Sequence, residues 1–201
     1  MGMRPFAGVQ TLSGTAQPCF GTAVTAAFTP PPDPFSGNLN PGSNETQVSV
    51  TVTSTKGFLP GDKVAVGPSA AFEPGIVALG SGPDEGEVKS VTDGTHMIIQ
   101  GLKKSHAATG EWVILSDVAG NVHIRPVTIS SADEAYIGNA STVAAGDPSV
   151  LDVLPAVTGP TAAPGYVFDA ESLGMTQPFN LTEFWIIGTA SDTFIARYST
   201  V

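Results

Sequence analysis

The chain has 201 residues, of which 23 are glycine and 17 proline, and only 13% are charged. About one residue in five therefore breaks helices or shapes turns, which excludes a mostly helical fold, while 41% hydrophobic content excludes a charge-solvated, disordered chain. A net charge of −10, from 18 acidic and 8 basic residues, leaves too few cations to neutralise a phosphate backbone or an anionic bilayer, so neither nucleic acid nor membrane is expected as a partner.

Residues 1–45 read as irregular. The run Thr29-Pro30-Pro31-Pro32-Asp33-Pro34-Phe35 fixes φ and removes backbone donors, so it is extended rather than helix or central strand. Phe6, Phe20, Phe28 and Phe35 stand among small residues, too many aromatics for a flexible linker. The segment is expected to be an extended arm that packs on a neighbour or on its own fold. These four phenylalanines are the candidate assembly residues. The opening residues lack the continuous apolar stretch of a signal peptide.

Residues 46–127 read as a β-barrel-like domain. Gln47–Thr53 alternates apolar and polar residues at period two, the pattern of a half-buried strand. A turn over Gly57–Asp62 leads to a strand at Lys63–Val66. Glu87–Val91 and His96–Ile99 flank Asp93-Gly94, a hairpin signal because this pair tolerates positive φ. Further strands are expected at 111–115 and 122–124. Residues 128–201 read as a C-terminal β-sandwich domain, with strands at 135–138, 166–168, 184–187 and 193–198 and a proline-rich loop over 144–165. Along the last strand Phe194, Ala196 and Tyr198 share one face, and Thr193, Ile195 and Arg197 the other. The fold class is thus all-β: an arm followed by two small barrel or sandwich domains, jelly-roll-like in strand density. Charge is skewed along it, since residues 126–201 hold Arg197 against eight acids.

Chemistry is sparse. His96, His106 and His123 are the only histidines, and no Gly-x-Ser-x-Gly elbow accompanies them. They are expected at the surface or at sheet rims. Cys19, the single cysteine, excludes an intrachain disulfide and has no basic neighbour to activate it. Asp84, Glu85 and Glu87 offer hard oxygen ligands without the spacing of a calcium loop, and a solvated acidic loop is the expected reading. Trp112 and Trp185 could stack on sugars, but both lie in apolar strands and are expected in the core. Asn44, Asn139 and Asn180 begin glycosylation-type triplets. No catalytic residue, metal site or cofactor is assigned, and the chain is not expected to be an enzyme.

Two segments resemble structural proteins of tailed bacteriophages. One runs Val50-Thr51-Val52-Thr53-Ser54-Thr55-Lys56-Gly57-Phe58-Leu59-Pro60-Gly61-Asp62-Lys63-Val64, then Gly86 to Thr95, then Gly101 to Ala108. It is similar to a small β module recurring in virion proteins: a strand, a Gly-Phe-x-x-Gly-Asp turn, a hairpin, then Gly-Leu and His-Ala. The other comprises Ala135 to Asn139, Pro164-Gly165-Tyr166-Val167-Phe168 and Phe184-Trp185-Ile186-Ile187-Gly188-Thr189-Ala190-Ser191-Asp192-Thr193. It resembles compact β domains of head-decoration and fibre-base proteins. Residues 1–45 and the insertion at 144–163 depart from these patterns. The resemblance implies a capsid cement or decoration protein, made in the host cytoplasm and carried on the virion surface. Its partners would be the major capsid protein and itself, as a homotrimer. A tail-fibre or host-surface module holding a glycan or receptor on Trp112 or Trp185 is the alternative. A glycan hydrolase would need a carboxylate pair that the sequence does not suggest.

Overall fold

A computed structural model describes residues 3–31, 46–73, 82–130, 134–139, 141–144, 150–154, 156, 166–169 and 179–200. They are all-β. The strands, in chain order, are β1 (Arg4–Thr11), β2 (Gln17–Pro18), β3 (Gly21–Ala23), β4 (Gln47–Thr51), β5 (Lys63–Pro68), β6 (Asp84–Val91), β7 (His96–Gln100), β8 (Glu111–Leu115), β9 (Val118–Thr128), β10 (Ala135–Gly138), β11 (Val150–Leu154), β12 (Tyr166–Asp169), β13 (Phe179–Asn180), β14 (Trp185–Ile187) and β15 (Thr193–Thr200). The helical elements among the described residues are two 3-10 turns, Ser69–Phe72 and Leu181–Glu183. None of them is long and apolar enough to cross a membrane.

Three antiparallel sheets result. The first runs β1-β15-β9-β12, with β13 also on β9; the second runs β11-β10-β14-β2; the third runs β3-β8-β5-β6-β7-β4. The third sheet curls until its ends meet. Val24, just past β3, bridges Val52, just past β4. The amides of Thr25 and Thr53 donate to the carbonyls of Thr51 and Ala23, both at 2.9 Å. Closure removes the open edges that a flat sheet would leave. Inside lie Val50, Val52, Val64, Val66, Val88, Met97, Ile99, Val113 and Leu115, each at most 1% exposed. In β4 and β7 they alternate with less buried residues, the period-two pattern that turns one face inward, whereas in β5 and β8 the intervening Ala65 and Ile114 are buried on the other face in a second cluster with Trp185.

The described part of the expected arm is woven into these sheets. β1 pairs with β15, β2 with β14, and β3 with β8. Phe6 and Phe20, 1% and 0% exposed, belong to one core cluster with residues from both expected β domains, among them Val50, Ile99, Ile124, Ile137, Phe184 and Tyr198. Of the two surfaces expected to receive the arm, residues 3–31 take their own fold, as strands rather than as an irregular segment. Weak charge and small side chains let this segment lie flat on the sheets, where burying an aromatic on its own chain needs no second molecule. The strands likewise do not divide at 127/128, because β9 runs unbroken through that position. The loop expected over 144–165 contains β11, an edge strand on β10. The acidic loop expected at 84–87 is the start of β6.

Candidate functional site

The turn at Gly57–Asp62 receives the N-terminal strand. Asp62, nearly buried, accepts the amide of Leu59 at 2.7 Å and so holds its own turn closed. The same carboxylate takes Arg4 through two guanidinium nitrogens, each at 2.7 Å, and Arg4 also donates to the carbonyl of Gly57 at 2.7 Å. This two-pronged geometry suits arginine and no other cation. The guanidinium lies 5.5 Å from the ring centre of Tyr198. Burial pushes the Tyr198 phenol up to about 12. Phe58 of the turn meets Phe6 edge to face, their centroids 5.3 Å apart. Gly57 has φ +95°, and a Cβ there would stand 2.6 Å from the Phe6 ring. Glycine is thus required both by conformation and by close approach.

His106 is not at the surface but 6% exposed, which corrects its expected position. Its Nδ1 lies 2.5 Å from Glu111 Oε2 and its Nε2 3.4 Å from Asp84 Oδ2. Phe28 stacks on the ring at 4.8 Å. Asp84 also accepts the amides of Lys103 and Lys104, at 2.6 and 2.7 Å. Both ring nitrogens face carboxylates. This trio ties the 101–108 segment to β6 and β8. His96 pairs with Asp93 in the β6–β7 turn.

Of the other acids once weighed for calcium, Glu87 sits between Lys63 and Lys89, at 2.5 and 2.8 Å, while Glu85 is exposed. Neighbouring residues of a strand point to opposite faces, so the set does not converge. No metal-binding cluster occurs among the described residues. Cys19 is fully buried, and burial pushes its thiol well up. Asn180 caps the 181–183 turn, its side chain accepting the amide of Thr182 at 3.1 Å.

Of the expected assembly phenylalanines, Phe6 and Phe20 are sealed inside the molecule and cannot reach a neighbour. Phe28 covers His106, and Phe35 lies outside the described residues. Trp185, fully buried, cannot serve as a sugar platform. Trp112 meets Trp185 edge to face at 6.1 Å and donates its indole N–H to Ser69. It also lines a groove of about 440 Å³ between β1 and β3, with Gln10, Thr11, Ser13, Thr22, Thr53 and Lys56 around it. Hydroxyls, amides, the Lys56 ammonium and the indole share its lining with Ala7, Val9 and Ala23.

One cluster went unremarked in the sequence. Arg197 of β15 stands opposite His123 of β9, and Ile195 opposite Arg125. These four line a shallow cleft on the outer face of the first sheet. Partial burial, then Arg197 and Arg125, hold the His123 imidazole below its ordinary range. The period-two spacing of His123 and Arg125 was the available signal, but the partner strand is seventy residues downstream in sequence at Ile195 and Arg197.

No protein-family model matches this chain. No curated protein matches it either.

Proposed function

We propose that this protein is a structural component of a tailed-bacteriophage virion, a cement or decoration protein that binds the major capsid protein on the outer surface of the head as a homotrimer and stabilises the shell against the pressure inside it. The observation that carries the reading is the Gly57–Asp62 turn. It is the most distinctive part of the resemblance to virion β modules, and here it fastens the N-terminal strand through Arg4 and Phe6. A body stitched in this way suits resistance to deformation rather than turnover. In this reading the curled six-stranded sheet is the first β module. The five- and four-stranded sheets, which share core residues, form the second, sandwich-like and jelly-roll-like module. Immunogold electron microscopy of purified virions is the test. Label over heads, and heads that release DNA at lower temperature when the protein is removed, are expected. Label confined to tail tips, or absent from particles, refutes the assignment.

The groove beside Trp112 favours a second reading, a tail-fibre or host-surface module that holds a glycan or receptor. Screening the purified protein against immobilised bacterial surface glycans tests it. Binding that disappears in Trp112→Ala while the fold persists would select this reading over the first.

A further inference from the structure

Small residues leave the groove beside Trp112 open. Trp112 of β8 stands directly opposite Ala23 of β3, with Gly21 two residues along, and opposite Gly67 of β5 on its other side. These neighbours are too short to cover an indole. The ring is therefore half-buried and lines the groove, although it also packs on the fully buried Trp185. Its N–H is given to Ser69, so the surface it offers the groove is hydrocarbon.

The rest of the lining supplies polar groups that are not already used. Thr11 and Thr53 are exposed, and among the described residues their hydroxyls make no hydrogen bond. The Gln10 amide nitrogen donates to the Cys19 carbonyl at 3.0 Å, which leaves its oxygen without a partner among the described residues. Lys56 is the one charged group among the described lining residues, and its ammonium makes no ion pair among the described residues. The Lys56 backbone amide donates to Ser54 Oγ at 3.3 Å, a bond that does not depend on the side chain.

A wholly apolar ligand would strip water from these hydroxyls and this amide without replacing its hydrogen bonds. A sugar ring meets both parts of the lining, with aliphatic C–H on its faces and hydroxyls around its rim. A cation with no acid beside it in the lining adds a preference for a carboxylate, since a charge-assisted hydrogen bond is stronger than a neutral one. We infer that the groove binds an acidic saccharide, its ring against Trp112 and its carboxylate on Lys56. The inference rests on the glycan reading of this groove given above and adds the class of sugar. The net charge of −10 opposes every anion at long range, so the pairing with Lys56 has to show as a local, salt-sensitive preference against that background.

The test is calorimetric titration of the full chain with oligogalacturonate, oligomannuronate and sialyl-lactose, each beside its neutral methyl ester, at about 50 and 500 mM NaCl. At low salt the wild type is expected to bind at least one acid about two- to fivefold more tightly than its ester, as suits an ion pair with an exposed lysine. High salt should erase that preference. Lys56→Gln should bind acid and ester alike, at the strength of the ester, with an unchanged circular dichroism spectrum. If this variant fails to fold, the acid-to-ester ratio of the wild type and its salt response decide the matter. Equal affinity for acid and ester, an acid preference that survives Lys56→Gln, or acid binding that strengthens with salt overturns the inference while leaving the glycan reading standing. Failure to bind any sugar, acidic or neutral, overturns both. Tetraglutamate binding as tightly as the uronates would make this a carboxylate site indifferent to the sugar ring, and would overturn the inference too.

Discussion

Replacing Phe6 with alanine separates a core role for the N-terminal strand from an assembly role. The ring is 1% exposed and packs edge to face on Phe58 at 5.3 Å and Phe20 at 5.9 Å. Truncating a buried phenylalanine costs about 3–5 kcal/mol. Two aromatic contacts, each contributing about 0.5–1.5 kcal/mol beyond area, place this site toward the upper end. The cavity would open between the first sheet and the Gly57–Asp62 turn, where Arg4 holds both sides and limits collapse. Because about 1 kcal/mol shifts the melting temperature of a 150–250-residue domain by about 2–4 °C, a fall of about 6–20 °C is expected. Thermal denaturation followed by far-ultraviolet circular dichroism measures it, with light scattering run alongside. A melting temperature within about 2 °C of wild type would refute the packing argument. A lost oligomeric state with an unchanged melting temperature would contradict the burial of Phe6 within its own chain.

Other outcomes follow from the same geometry. Gly57→Ala meets both a φ of +95° and the Phe6 ring, so it should destabilise by more than the roughly 1 kcal/mol of an ordinary left-handed glycine, read as a lowered urea midpoint. Hydrogen bonds from Lys63 and then Lys89 hold Glu87 at about 2, and the Thr95 amide and then His96 hold Asp93 at about 2. Both values lie below the ordinary carboxylate range. Their contribution is therefore complete above about pH 4.5 and is lost as pH falls toward 2. The melting temperature should decline across that window, and Asp93→Asn should flatten the decline; a profile unchanged by the variant would count against the assignment. Cys19 should not react with a thiol reagent such as dithionitrobenzoate in the folded protein and should react once denatured, since it is fully buried and its thiol is pushed up. Prompt stoichiometric labelling of the native chain would contradict the structure around it.

Strands with clean alternation were legible from sequence. β4, β7 and β15 carry period-two patterns, and Asp93-Gly94 marks the β6–β7 turn. β1 was not legible, because Pro5, Gly8 and two positive-φ residues, Ala7 and Gly8, disguise it. What makes it a strand is tertiary: Arg4 on Asp62, Phe6 on Phe58, and pairing with β15. β3 and β11 are three and five residues long, and only their neighbours define them. Among the candidate residues, Phe6 and Phe20 are buried and Phe28 partly so, while Phe35 lies outside the described residues; composition marks them as aromatics in need of burial but does not say whose surface buries them. The buried position of His106 was equally hidden, since Asp84 and Phe28 reach it from distant parts of the chain.

The pairing of Arg4 with Tyr198 sets a timetable for biosynthesis. The first strand leaves the ribosome almost the whole length of the 201-residue sequence before its partner does. At about 5–20 residues per second, that interval is roughly 10–40 s. Through it the nascent β1 has hydrogen-bonding groups and no native strand to take them. The register break between Phe6 and Val9, with left-handed Ala7 and Gly8, interrupts the straight ladder that a stray strand would need. The irregularity that hides β1 from a sequence reader thereby also discourages wrong partners while the chain waits. Folding should then show a late, concerted step when β15 arrives, fastening Arg4 beneath Tyr198.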